Sequence, residues 1–238
     1  MDNDKITINN LHHEELNSQI YDIVYEVKNK FGIKEKIFVI ITDDEKSYQT
    51  GLSGGLKSQN LNYKLQWEYD GEIIIRRGVL KKIDLEMDLN EFKALIAHEC
   101  SHIYHADSIL ILKFYCVWFA LSIISAMDTE LFTKNFLLAI IVFISTFIIG
   151  AQMAFYCRRM VEKRCDREAV FITKNPDALK EGLKKLHVEF DDVIKIAKTN
   201  EKPMMYLRKV RYFILGDTHP KFSERMEFID NLKLEISY

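Results

Sequence analysis

Proline is scarce in this chain, with three among 238 residues. Hydrophobic residues make up 48%. Together these argue against extended disorder and for a chain that buries the core of one domain, or one and a half. A basic excess is also missing. Lys and Arg number 33 against 35 Asp and Glu, a formal charge of −2, so nucleic-acid binding has no general electrostatic support. The opening Met1-Asp2-Asn3-Asp4 is acidic and lacks an apolar run, so it does not read as a signal peptide. The four cysteines, Cys100, Cys116, Cys157 and Cys165, contain no C-x-x-C pair. They read as small packing residues in a reducing compartment, not as a disulfide framework.

The most informative absence is local. Ile109–Met127 holds 19 residues with a single charge, Lys113, and Phe136–Cys157 holds 22 with none. A bilayer core needs about 20 apolar residues per helix, so each stretch is long enough to cross one. Asp128–Asn135 carries Asp128, Glu130 and Lys134 and reads as the turn between them. The alternative, two buried helices of a soluble core, conflicts with the lack of any polar face. Arg158, Arg159, Lys163, Arg164, Arg167 and Lys174 follow the second stretch, whereas the turn offers only Lys134. That asymmetry predicts an outside turn, with both flanks, both termini and any active site on the cytoplasmic side.

Elsewhere the signals are those of a small mixed domain. Leu16, Ile20, Ile23, Val24 and Val27 repeat at helical spacing and are followed by Gly32. Lys36–Thr42 alternates like a strand, and Tyr63–Tyr69 and Glu72–Arg77 flank an Asp70-Gly71 hairpin signal. Thr50–Gly55 reads as a loop or a bulged edge strand. Asp88 and Glu91 fit a capping box opening a helix that is expected to continue into the first apolar stretch. The second stretch is expected to continue past Arg158 towards Val170. Asn175-Pro176 opens a further helix.

Chemistry concentrates in His98-Glu99-Cys100-Ser101-His102. Two histidines four residues apart share a helix face and can bind one zinc ion, and the adjacent Glu99 can take a proton from water. The plain alternative is a polar turn on a surface helix. A third ligand is required, with the fourth position open, and the candidates are His105, Asp107, Glu162, Asp166 and Glu168. Glu162 and Asp166 form a second pair spaced by four. In an antiparallel hairpin, residues at equal depth have a constant sum of residue numbers. His102 with Glu162 and His98 with Asp166 share one sum, whose half falls in the Asp128–Asn135 turn. If both helices run straight, these four residues face one another, about 10 Å from the apolar core at a rise of 1.5 Å per residue. The alternative is that Glu162 and Asp166 are ordinary surface charges.

Ala97–Ile103, Arg159–Asp166 and Thr218-His219-Pro220 with Arg225, taken in this order, resemble the HtpX-type zinc metallopeptidases. These group with the CAAX prenyl proteases in metallopeptidase family 48, among the gluzincins. The likeness extends over roughly residues 70–230. It implies His98, His102 and Glu162 as Zn²⁺ ligands, Glu99 as general base, and Asp166 orienting a ligand histidine. It also implies His219 as an oxyanion donor, with Arg225 ordering its turn; Tyr206 and Tyr212 are alternative donors. Gluzincins commonly hold an extended peptide on an edge strand, which points to Gln49–Gly55, with Gly51, Leu52, Ser53 and Gly54 as substrate contacts. Cys100-Ser101 stands where the family often has Leu-Gly, and Cys165 where it often has Ala. Met1–Ser108 holds no spanning stretch, so a reduced form with one hairpin is expected.

The expected fold is therefore α+β: a mostly helical gluzincin domain with a small β-sheet and an inserted two-helix transmembrane hairpin. Residues 1–108 carry the N-terminal helix, the sheet and the metal motif. Residues 109–157 form the hairpin (109–127 and 136–157), and 158–238 complete the peptidase domain. The expected activity is zinc-dependent hydrolysis of peptide bonds in membrane-associated or juxtamembrane proteins, at the lipid bilayer. The rival is a catalytically silent membrane sensor or scaffold with a structural metal site. An enzyme for lipidated peptides is a third reading, disfavoured by the absence of enough helices to enclose a chamber.

Overall fold

The computed structural model describes residues 14–34, 36–42, 52–59, 68–76, 87–187, 203, 206 and 220–236. Helix α1, Glu14–Phe31, buries Ile20, Val24 and Val27 along one face. Gly32 ends it with φ +69°, a conformation that a side chain would disfavour. Three strands follow, β1 (Ile37–Thr42), β2 (Leu52–Gln59) and β3 (Glu68–Arg76), in the order β1-β3-β2. β1 runs parallel to β3 and β2 antiparallel to it.

The expected fold class needs correcting here. The described residues are dominated by helices, and the hairpin-built sheet drawn from Asp70-Gly71 is absent. Asp70-Gly71 lies inside β3, where Gly71 pairs with Ile37 on one side and Leu56 on the other. Ladders on both sides satisfy its backbone groups, and that outweighs a local turn preference. The strands supply few described side chains to the core: Ile37, Val39, Ile73 and Ile75, all buried.

Helix α2, Leu89–Tyr104, carries the two-histidine motif. Its capping box is formed: the Asp88 side chain accepts from the Asn90 N–H, and the Asp88 N–H donates to Glu91, each at 3.2 Å. Phe92, Leu95 and Ile96 anchor it in the core. Truncating the fully buried Phe92 to alanine would cost about 3–5 kcal/mol.

Contrary to expectation, α2 does not run into the first apolar stretch. It stops at Tyr104, Ala106 turns left-handed (φ +53°), and α3 begins at Asp107 and runs to Thr133. Helix α4, Phe136–Thr173, is unbroken over 38 residues, about 57 Å, and carries both the second apolar stretch and the Glu162–Asp166 segment. Helices α5 (Pro176–Leu186) and α6 (Phe222–Ile236) complete the described elements. The core joins residues before and after the hairpin, with Ile96 and Cys100 clustering with Val170, Leu179 and Ile229.

α3 and α4 pack as an antiparallel pair that projects from this body. Only 6% and 11% of their most apolar stretches are buried, and Leu112, Val117, Phe132, Phe136 and Leu137 face outward. Both helices are long and apolar enough to cross a membrane. Where they touch, Gly150 accommodates Trp118: a Cβ there would lie 1.6 Å from the indole. The indole N–H donates to the Thr146 carbonyl at 2.6 Å. Ser122, Thr129 and Thr146 donate to carbonyls one turn back, so their hydroxyls are satisfied within the helices.

Candidate metal centre

α2 packs along α4, and the two paired motifs meet at their contact. His98 Nε2 lies 3.4 Å from Glu162 Oε2, and His102 Nε2 lies 3.5 Å from Glu162 Oε1. One donor atom from each of the three residues falls within 4.8 Å of the others, a spacing one metal ion can bridge. The register expected for straight helices is met in spite of the break at Ala106, because that break lies beyond His102.

The opposite ring nitrogens explain the orientation. His98 Nδ1 is 2.9 Å from Asp166 Oδ1, in a buried contact. Arg225 on α6 grips that carboxylate through Nε and Nη2, both at 2.6 Å. His102 Nδ1 is 2.9 Å from Asp107 Oδ2, and Arg164 Nη2 donates to both Asp107 oxygens at 2.7 and 2.6 Å. A carboxylate accepting from Nδ1–H holds that proton in place, so when each ring gives up its second proton it is Nε2, the nitrogen facing Glu162, whose lone pair becomes available to a metal.

The potential in the pocket is negative. Burial and Arg225 both oppose a charge on His98, but its bonds to Asp166 and Glu162 outweigh them and raise its pKa to about 9. Burial likewise opposes a charge on His102, and Asp107, Cys165 and Glu162 raise its pKa to about 12. A site that draws a second proton onto each of its own histidines in this way suits a divalent cation, and the two imidazoles and one carboxylate match the donor types such ions take. Glu99 is buried beside this group, close enough for its charge to act on Arg225 and on Cys100. The Cys100 thiol is pushed up by burial and by Glu99, so it stays protonated and inert.

Of the residues singled out from sequence, His98, Glu99, His102, Glu162, Asp166 and Arg225 share one cluster, in which His102 and Arg225 are partly exposed and the others buried. Among the other candidate ligands, His105 and Glu168 pair with each other at 2.8 Å, and Glu168 also accepts from Ser101 at 2.5 Å. Asp107 sits behind His102, on the far side from Glu162. Leu52, Ser53 and Gly54 lie on β2, which is an edge strand among the described residues and borders α2. His219, Tyr212 and Gly51 lie outside the described residues. Sequence reasoning missed Arg164 altogether. It follows Glu162 by two in a basic run, and nothing in that run distinguishes it from Lys163 or Arg167.

Comparison with known proteins agrees with the geometry. The model of Peptidase family M48 matches residues 16–233. A Protease HtpX homolog of Listeria monocytogenes serotype 4b (strain CLIP80459) is 22% identical over 246 aligned residues, covering 90% of this chain and 73% of the relative. The Protease HtpX homolog of serotype 4a (strain HCC23) is 23% identical over the same extents. No solved structure gives a significant match. With a family match over nearly its whole length and a donor set of the kind a metal needs, the chain belongs to Peptidase family M48 and is a metalloprotease.

Proposed function

We propose that this protein is a zinc-dependent endopeptidase, anchored by a two-helix membrane hairpin, that cleaves membrane-associated or juxtamembrane proteins. The observation that carries the proposal is the convergence of the His98 and His102 Nε2 atoms on the two Glu162 oxygens, with both Nδ1 atoms held by carboxylates.

In this reading His98, His102 and Glu162 hold zinc. When bound, zinc polarises the scissile carbonyl and makes water nucleophilic near neutral pH. Glu99 takes the proton from the attacking water and passes it to the leaving amine. Asp166, clamped by Arg225, fixes His98. His219 donates to the developing oxyanion. No covalent bond forms between enzyme and substrate. An extended peptide adds to β2, an edge strand among the described residues, with Gly51, Leu52, Ser53 and Gly54 as its contacts, and main-chain hydrogen bonds align it. The outward apolar surface of the hairpin supports its seating in a bilayer. Residues 1–108 and 158–238 then form one peptidase body interrupted by the hairpin at 109–157. The basic run from Arg158 supports placing that body, both termini and the site on the cytoplasmic side, and that position favours substrates near the membrane surface.

The test is hydrolysis of casein and of a membrane-peptide substrate by the full chain in detergent. Activity is expected to vanish with a chelator, to return with zinc, and to fall about 10²–10⁴-fold in Glu99→Gln. Activity indifferent to both chelator and Glu99→Gln would refute the proposal.

A further inference from the structure

We propose that Asp107, clamped by Arg164, is a positioning residue for His102 and ties the metal site to the roots of the hairpin. The inference rests on His102 being a metal ligand. Asp107 is buried and places Oδ2 2.9 Å from His102 Nδ1. Arg164 donates to both of its oxygens, so the carboxylate is held from behind as it holds the ring in front. The arrangement repeats that of Asp166 and Arg225 around His98. Its origin differs. Asp107 opens α3, the first apolar helix, and Arg164 lies on α4, beyond the second apolar stretch.

The backbone explains how Asp107 reaches the ring. On an unbroken helix a residue five positions after His102 would sit about 140° around the axis, away from the histidine face, at 100° per residue. Instead the helix stops, and Ala106 takes φ +53°, a left-handed conformation that residues with a Cβ avoid. The break swings Asp107 back to His102. His102, Asp107 and Cys165 are also close enough to hold a cation of their own. Arg164 already occupies both Asp107 oxygens, so the carboxylate serves as an acceptor for the ring and not as a metal ligand.

The experiment measures zinc affinity of the full chain in detergent by competition with a chromophoric chelator, together with the melting midpoint of the metal-free protein. Asp107→Ala is expected to weaken zinc binding by about 10–100-fold. Asp107→Asn, which keeps an acceptor but not the charge, should weaken it by about tenfold. Arg164→Ala should weaken it less, and Arg164→Lys should recover part of that loss. The metal-free melting midpoint of Asp107→Asn should fall by less than that of Asp166→Asn. If Asp107→Ala does not fold, the isosteric Asp107→Asn decides. Zinc affinity within twofold of the parent, or a loss matched by an equal loss of metal-free stability, would overturn the inference. His102→Ala separates the two levels. If it loses zinc while the Asp107 variants do not, this inference alone fails. If it binds zinc like the parent, the metal-ligand reading fails and this inference with it.

Discussion

The two histidines of the site are supported by the same chemistry from different parts of the molecule. Behind His98 stand Asp166 and Arg225, with side chains 0% and 12% exposed, inside the helical body. Behind His102 stand Asp107 and Arg164, 4% and 31% exposed, at the base of the apolar hairpin. The first arrangement comes from ordinary packing of α4 against α2 and of α6 against α4. The second needs a helix to break at Ala106. A buried pair and a half-solvated pair therefore do one job, and they should fail differently.

Removing what both halves share should have the largest effect. Glu162 faces both Nε2 atoms, so Glu162→Ala should reduce hydrolysis to that of the metal-free protein and lower bound zinc in elemental analysis. Next comes Asp166→Asn. It leaves Arg225 buried without its carboxylate, and breaking such a pair costs about 3–5 kcal/mol, to be read from metal-free denaturation. Asp107→Asn should cost clearly less stability in the same measurement, because Arg164 reaches solvent. Equal costs would erase the distinction between the halves.

Titration sharpens it further. A histidine whose folded pKa is raised stabilises the fold fully below its unfolded value and loses that contribution as pH rises through the folded value. For His98 the window runs from 6.5 to about 9, and for His102 from 6.5 to about 12. In metal-stripped protein the His98 proton should thus be half released near pH 9 while His102 stays charged, resolvable by nitrogen-15 NMR of labelled histidines. The smallest effect on chemistry belongs to Gly150→Ala. The Trp118 contact it disturbs should cost about 1–3 kcal/mol in detergent melting, with zinc affinity unchanged.

How much of this was legible in the sequence depended on the range of the cause. The His98–His102 spacing and the Asp88–Glu91 cap are consequences of one helix, and both are as expected. The facing of Glu162 and Asp166 followed from antiparallel register, which survives the break because it needs only the segments on the body side. The turn expected at Asp70-Gly71 fails because tertiary pairing on both edges of β3 overrides a local signal. The stop after Tyr104 was illegible: no glycine or proline marks it, and the left-handed turn at Ala106 accompanies a contact between Asp107 and Arg164, which lie 57 residues apart in sequence. From sequence Asp107 is one of several candidate ligands, and its place behind His102 follows only from the fold.

The proposed metal centre has three protein ligands, two imidazoles and one carboxylate, with a fourth position open to water. X-ray absorption at the zinc edge of the loaded full chain tests it most directly. The predicted shell has two histidine nitrogens and oxygen neighbours at about 2.0–2.2 Å, and one oxygen should be displaced by a hydroxamate inhibitor. A sulfur neighbour at about 2.3 Å from Cys165, or four protein ligands that no inhibitor displaces, would contradict the account.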